Sequence, residues 1–414
     1  MKIKNEKFLN LFFRLGAFGS KFLLTIFLAK SLSVRDFGFY GFVVAVVAVA
    51  PAIFGLGINY TVCRLVPNMS PSEGASLLAK RIVVSNAMAL FFSFLFYAYS
   101  CFFDLNEWGG VYLAALFYFE IVAFDAHYGL ISLGKSVLAN FLLFIRTGAW
   151  VIIYIGWVFY FKSEDPFGVM IFCWLFFAFF AVIFYFVYLA SLGAVIGKDV
   201  FSWAKSIVVC NKKVYFSDIL ISSTANLDRF AVGLILGLEF LGIYSFFVMF
   251  SNAIQSLISN SFVQVEVSKL VRVFADKGKF GLKCGVELLL RSVINVAWVM
   301  SVLVLIGVYV CLIFMEKKYY LDFFPGLLIL IAAHNTKLFS EVFNYGLYIM
   351  GRDFELVMSN VVGVLMTFIP VVVGAVFFGL YGVFLGVLFG ALVVFAYRKA
   401  KYEFNISEPM SEIS

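Results

Sequence analysis

The sequence predicts an all-α polytopic membrane protein with about 12 transmembrane helices, in two pseudo-symmetric six-helix bundles around a central cavity. Composition, the placement of basic residues and an internal repeat support this fold. Of the 414 residues, 64% are hydrophobic and 13% are charged, whereas a soluble domain has about 45–50% apolar and about 25% charged residues. A water-soluble fold has no interior large enough to bury that much apolar surface.

The apolar residues come in runs close to the roughly 20 residues that a helix needs to cross a bilayer. Runs such as 39–51 and 361–378 are apolar at nearly every position, unlike the alternating strands of a membrane barrel. Dividing the chain at charged residues and at Gly, Pro and Asn clusters predicts twelve spans. They are residues 9–30, 38–62, 82–103, 109–132, 138–161, 167–190, 214–236, 241–265, 285–314, 325–349, 355–377 and 380–397.

The basic residues predict the orientation of these spans. With both termini in the cytoplasm, twenty Lys and Arg residues fall in cytoplasmic segments and five fall in external loops. Basic residues are retained on the cytoplasmic side, so we predict cytoplasmic termini and an even number of spans. The net charge of +7 then reflects topology and contact with anionic lipid, and no nucleic-acid partner is expected.

A shift of 204 residues aligns residues 37–42 with 241–246, and Gly74 with Gly278. Because 204 residues hold six spans, the halves share one orientation and a pseudo-two-fold along the membrane normal is predicted. Chance similarity among segments rich in Gly and Phe is the alternative. The predicted parts are an N-terminal bundle (1–195), a cytoplasmic linker (196–213), a C-terminal bundle (214–397) and a cytoplasmic tail (398–414).

Local signals mark the start of the second span. Ser33 and Asp36 fit a capping box, and Gly38 is expected to remove a side chain where consecutive helices approach closely. The six cysteines stand singly, without metal-ligand spacing, so we predict neither a metal nor a cofactor.

Basic residues inside the predicted spans are candidate substrate contacts. Each costs about 2.5–3.5 kcal/mol at a helix centre, so each is expected to face a cavity or a partner. Arg14, Lys21 and Arg146 are of this kind, and Lys21 lies roughly 10 Å deeper than Arg14 at helical rise. We predict Lys21 as an anion contact, the alternative being a side chain that reaches back to the interface.

The repeat offset places Arg14 opposite Asp218, at equal depth on the first and seventh spans. We predict that the two form a cytoplasmic gate pair, which opens when a substrate phosphate competes for Arg14. A permanent structural ion pair is the alternative interpretation.

Two clusters are candidates for coupling transport to protons. Glu120 and His127 share one face of the fourth span, and His334, Lys337 and Glu341 follow a helical stripe in the tenth. Histidine titrates near neutrality and suits a proton relay. The alternative is a histidine satisfied by a neighbour on its own helix.

Catalytic signals are missing from the sequence. It contains no Gly-rich phosphate loop, no HExxH and no GxSxG, and no external loop exceeds about a dozen residues, close to an ordinary connection. We therefore predict a non-enzyme, and a polysaccharide polymerase is the less favoured reading.

Several segments resemble a known family. Residues 28–40, followed by Gly55-Leu56-Gly57 and Arg64, resemble the opening of the Wzx-type O-antigen flippases. These belong to the polysaccharide exporter family of the multidrug/oligosaccharidyl-lipid/polysaccharide exporter superfamily. Residues 228–230 and 241–244 are similar to the corresponding hairpin of the second half.

The resemblance implies a two-lobed fold in the bacterial cytoplasmic membrane. It also implies that an undecaprenyl-pyrophosphate-linked oligosaccharide is moved to the outer leaflet by alternating access, through a cationic cavity lined here by Arg14, Lys21, Arg146 and Arg229. A multidrug/cation antiporter of the same superfamily, with acids dominating its cavity, is the alternative. Expected partners are the lipid-linked substrate, membrane lipids, and polysaccharide polymerase and chain-length proteins.

Overall fold

The computed structural model describes residues 2–102, 109–161, 164–197, 199–315 and 317–407, and no strand occurs in these ranges. The predicted all-α class is confirmed. The α-helices are α1 (Lys2–Ser31), α2 (Val34–Phe54), α3 (Ile58–Leu65), α4 (Pro71–Phe102), α5 (Gly110–Ser132), α6 (Ser136–Phe144), α7 (Trp150–Phe161), α8 (Pro166–Ser191), α9 (Val200–Thr224), α10 (Leu227–Ile235), α11 (Leu238–Ile258), α12 (Gln264–Met315), α13 (Lys318–Asp322), α14 (Phe324–Ile349) and α15 (Asp353–Ser407).

Among the described residues, ten helices are long and apolar enough to cross a membrane. One of these, α15, has a non-helical residue at Gly379 (φ 58°, ψ −143°), so it contains both the eleventh and the twelfth predicted spans. The seventh predicted span, 214–236, is divided between α9 and α10 at residues 225–226. Each of the twelve predicted spans therefore corresponds to helical structure.

The helices group into two compact units. Unit 1 comprises residues 1–32 and 43–222, and unit 2 comprises residues 33–42 and 223–414. Helix α2 thus begins in unit 2 and continues in unit 1. Most of the segment predicted as a linker, 196–213, is helical, because α9 begins at Val200.

In unit 1 the second predicted span is interrupted after α2, where Gly57 adopts φ +65°. The break frees backbone carbonyls, and α9 supplies donors for them. The Tyr215 hydroxyl donates to the Ile53 carbonyl at 2.7 Å, and the Asn211 amide donates to the Gly57 carbonyl at 3.3 Å. Non-helical backbone within a predicted span is tolerated because protein groups replace the lost helical hydrogen bonds.

In unit 2 the predicted cap of α2 is present. The Ser33 hydroxyl donates to the Asp36 carboxylate at 2.6 Å, and the Asp36 N–H donates back to the Ser33 oxygen at 3.0 Å. These bonds satisfy groups that the first helical turn leaves without partners.

The sequence predicts that Gly38 lets consecutive helices approach closely. In the structure Gly38 instead lies against α11, which does not directly follow α2 in the chain. A Cβ at Gly38 would overlap the carbonyl of Leu238, and one at Gly242 would overlap the carbonyl of Val34. The 204-residue offset maps Val34 onto Leu238 and Gly38 onto Gly242. Each of the two contacts is therefore the repeat equivalent of the other. The repeat is therefore visible within unit 2, as a reciprocal contact between the start of α2 and the start of α11.

Candidate functional site: buried charges in the two units

The first buried charge cluster of unit 1 joins α3, α4 and α5. An Arg81 guanidinium nitrogen lies 2.8 Å from an Asp125 carboxylate oxygen, and both side chains are almost fully buried. Asn59 bridges them, since it accepts from Arg81 at 3.2 Å and donates to Asp125 at 2.7 Å. The sequence places Arg81 just before the third predicted span, in a cytoplasmic segment; the structure shows it buried within α4, and the side of the membrane stays a prediction.

A second cluster surrounds Arg146, which sits in a π-helical turn, Ile145–Ala149. Its guanidinium lies 3.2 Å from the Glu120 carboxylate and donates to the Glu120 carbonyl at 3.3 Å. The Trp174 indole N–H donates to the same carboxylate at 2.8 Å. The predicted cavity cation Arg146 is thus already paired with a buried carboxylate.

Arg14 and Lys21 lie on α1 with exposed side chains. The Arg14 guanidinium donates to the Asn140 side-chain oxygen at 3.1 Å, and Asn140 in turn donates to Asn10 at 2.7 Å. None of the ion pairs in the described ranges joins Arg14 to Asp218. The gate pair stays a prediction.

His127 and Glu120 contact different groups. Its Nδ1 bonds to the Ala139 carbonyl at 3.2 Å, and it lines a small cavity with Arg146 and the apolar side chains around them. Glu120 is instead occupied by Arg146 and Trp174, so the structure gives the two predicted coupling residues different partners.

In unit 2, Asp228 and Arg229 open α10 and are both buried, at 2% and 5% exposed. The Asp228 carboxylate accepts from the Tyr244 hydroxyl at 2.6 Å and from the Arg229 backbone N–H at 2.8 Å. Among the described residues, the Arg229 guanidinium hydrogen-bonds only to the Asn226 side chain, at 3.5 Å, and its buried Nε has no hydrogen-bond partner. The Asp228 carboxylate therefore accepts hydrogen bonds from neutral donors. It forms no ion pair with the Arg229 guanidinium.

The predicted stripe on α14 is formed by His334, Lys337 and Glu341. His334 is buried and its Nδ1 bonds to the Leu330 carbonyl, at 2.9 Å, on its own helix. Glu341 accepts from Gln255 and from Ser259, each at 2.7 Å. The carboxylate of the stripe thus takes its hydrogen bonds from neutral groups.

Lys337 is near the Asp228, Arg229 and Glu341 charges. Within the described part of the chain, however, neither Lys337 nor the Arg229 guanidinium forms an ion pair. The buried arginines of unit 1 have carboxylate partners, whereas these two cations of unit 2 have none. Cations that form no ion pair in a low-dielectric interior attract an anion.

A further cation of unit 2 was assigned by the sequence to the tail. Arg398 donates to Ser359 at 3.1 Å, to Ser340 at 3.3 Å and to Asn360 at 3.1 Å. It therefore ties the last part of α15 to α14 and to the first part of α15. In the ranges that the structure covers, no cluster of His, Cys, Asp and Glu has the composition of a metal site.

Comparison with solved structures identifies the fold of the chain. The chain superposes on a multidrug resistance MATE family transporter of the MOP superfamily in its inward-facing conformation, with a TM-score of 0.73 and 10% identity over 96% of this chain and 94% of that one. It superposes on the lipid II flippase MurJ, inward closed, with a TM-score of 0.65 and 14% identity over 96% and 90% of the two chains. The chain has a MATE/MurJ-like fold.

A mutant of the Vibrio cholerae MATE transporter VcmN is also similar, with a TM-score of 0.59 and 11% identity over 98% of this chain and 96% of that one. No protein-family model and no curated protein sequence matches the chain. The MATE/MurJ-like fold confirms the predicted two-lobed architecture.

Proposed function

We propose that this protein is a flippase of the bacterial cytoplasmic membrane. It moves an undecaprenyl-pyrophosphate-linked oligosaccharide repeat unit to the outer leaflet by alternating access. The observation that carries the proposal is the cation pair of unit 2, Arg229 and Lys337, neither of which forms an ion pair in the described ranges. The MATE/MurJ-like fold, shared with a lipid II flippase, supports it.

The chemistry of the two side chains suits a pyrophosphate. A guanidinium presents a fixed fork of N–H donors to phosphate oxygens, and an ammonium adds a compact point charge. Asn226 lies at the start of the same helix, and its side-chain amide can bond sugar hydroxyls once a phosphate takes over Arg229. The charge-assisted bonds replace a contact to Arg229 that is long, at 3.5 Å.

A drug or cation antiporter would need uncompensated buried acids. Asp125 and Glu120 are paired with arginines, and Asp228 and Glu341 accept from hydroxyl, amide or backbone donors. The four acids therefore all have hydrogen-bond donors, whereas the buried Arg229 Nε has no acceptor among the described residues.

The test uses purified protein in liposomes that contain a fluorescent short-chain polyprenyl-pyrophosphate-N-acetylglucosamine, with dithionite quenching as the measure of movement between leaflets. We expect R229Q and K337Q to lower the rate about tenfold or more, because each removes a charge-assisted hydrogen bond. The matched control is R291Q, which removes one exposed positive charge from α12 of the same unit and should leave the rate unchanged.

A second arm offers ethidium with an imposed proton gradient. Ethidium transport without movement of the pyrophosphate lipid would establish the antiporter and reject the flippase. In the native host, deletion of the gene should leave lipid-linked repeat units in the inner leaflet and reduce surface polysaccharide.

A further inference from the structure

Helix α12 is much longer than a bilayer requires. Its candidate span, Lys269–Met315, has 47 residues, or about 70 Å of helix, against a hydrocarbon core of about 30 Å. Residues 292–315 carry no charge and are alone long enough to cross the core. The N-terminal part of α12 therefore lies outside the hydrocarbon.

This outer part stays close to the membrane. It connects the span in α11 to the span in α12, so both of its ends meet the same membrane face. Gly278 has φ 60° and ψ −152°, a conformation open essentially only to glycine. It interrupts α12 between residues 264–277 and the part of the helix that contains the apolar span. The break lets residues 264–277 depart from the line of the span.

The segment around the break is strongly basic. Residues 269–283 contain five basic residues and one acid, Asp276. Lys269 pairs with Glu266, and Lys279 donates to the Asn405 carbonyl at 2.8 Å. The remaining three basic side chains are all exposed: Arg272, Lys277 and Lys283.

Apolar side chains are exposed in the same segment. Phe280 is 78% exposed and Val271 is 45% exposed, although each would be more stable away from water. Exposed aromatic and aliphatic groups interleaved with Lys and Arg match the boundary between lipid headgroups and acyl chains.

We infer that residues 269–283 form a binding surface for the headgroups of anionic phospholipids. Arg272, Lys277 and Lys283 contact the headgroup phosphates, and Phe280 inserts beside them below the headgroup level. Charge complementarity and the position at the membrane face select a lipid as the occupant. The surface is separate from the Arg229 and Lys337 pair and does not depend on the proposed transport activity.

The chain carries its own reporter position, because Cys284 is exposed and follows Lys283 directly. A variant that keeps only this cysteine is labelled with a fluorophore and placed in nanodiscs. The nanodiscs contain either brominated phosphatidylglycerol or brominated phosphatidylcholine at equal mole fraction. We expect stronger quenching by the brominated anionic lipid.

The triple substitution R272Q/K277Q/K283Q should abolish this preference, since each charge near an anionic surface strengthens binding about fivefold. The matched control, K205Q/K212Q/K213Q, removes three exposed charges from α9 and should keep the preference. Equal quenching by the two lipids in the parent, or equal loss in both triple variants, would overturn the proposal.

A salt titration of the parent needs no substitution. The preference should fade between about 0.1 M and about 1 M NaCl, as the Debye length falls from about 10 Å to about 3 Å. A preference that persists at the higher salt concentration is not electrostatic and contradicts the assignment of the basic residues.

Discussion

Arg146 and Arg229 have the same side chain and are both buried, yet their neighbours give them different chemistry. Arg146 lies 3.2 Å from the Glu120 carboxylate, so its charge is neutralised where it stands. In the described part of the chain, the Arg229 guanidinium hydrogen-bonds only to a neutral amide oxygen, at 3.5 Å. An incoming anion must displace a carboxylate from Arg146 but only an amide from Arg229, which makes Arg229 the better binding residue.

Lys337 distinguishes anion binding from proton coupling. If Lys337 acts as a fixed positive charge, K337R keeps the charge and should retain at least about a third of the flipping rate, whereas K337Q loses about tenfold. If the lysine must release a proton in each cycle, K337R is as inactive as K337Q, because arginine stays protonated. The dithionite assay with the pyrophosphate lipid measures both variants, and equal inactivity would refute the anion-binding role.

The Arg81 and Asp125 pair gives a stability prediction. D125N keeps a hydrogen-bonding side chain beside Asn59 but leaves the buried Arg81 charge without a counter-ion, at a cost of about 3–5 kcal/mol. The double variant R81Q/D125N has no buried charge and should recover most of that loss. Thermal unfolding of purified protein measures both, and a double variant less stable than D125N would contradict this account.

Some of these residues could be predicted from the sequence and others could not. Glu120, His334 and Arg229 interrupt apolar runs, so their cost in a membrane singles them out. Arg81 and Arg398 lie at the ends of such runs and look like loop residues. Their side-chain contacts involve partners 44 and 39 positions away, Asp125 and Ser359, and no local pattern contains that information.

At the level of the helices, the reciprocal glycine contact decides how closely α2 and α11 approach. A methyl group at Gly38 or Gly242 would overlap a backbone carbonyl, and backbone cannot rotate away as a flexible side chain can. The contact therefore requires glycine at both equivalent positions of the repeat.

G38A and G242A should each destabilise the protein by about 1–3 kcal/mol, the usual cost of overpacking. Gly307 supplies the matched control, since it also lies inside a long helix of unit 2 but a Cβ there would meet nothing within 4 Å. G307A should be neutral or slightly stabilising because alanine favours a helix. Melting temperatures of the three variants test this, and equal values for G38A and the parent would disprove the close contact.

The apolar runs predicted the spans well because span length depends only on local composition. The breaks were not predicted. The interruption at Gly57 and the one at residues 225–226 divide runs that look continuous, and at Gly57 the lost hydrogen bonds are replaced by Tyr215 and Asn211, more than 150 positions away. A break of this kind is stable only in the folded chain.

For the whole molecule, the structure changes the count of basic residues that predicts the orientation. Two of the twenty residues counted as cytoplasmic, Arg81 and Arg398, make side-chain contacts inside the units. Without them eighteen basic residues oppose five, so the asymmetry still predicts the same orientation. The cytoplasmic location of both termini stays a prediction.

Thiol labelling of spheroplasts tests this topology and the discontinuous seventh span together. Glu164, in the loop before α8, is predicted to be external, and Cys284 is predicted to be cytoplasmic. An impermeant maleimide should label E164C, in a background without other cysteines, in intact spheroplasts. It should label a variant that keeps only Cys284 only after the spheroplasts are permeabilised.

Three crossings separate the two positions if α9 and α10 together span the membrane, and two if they do not. Labelling of both positions from outside would therefore reject the seventh span, whereas the reverse pattern would place both termini outside.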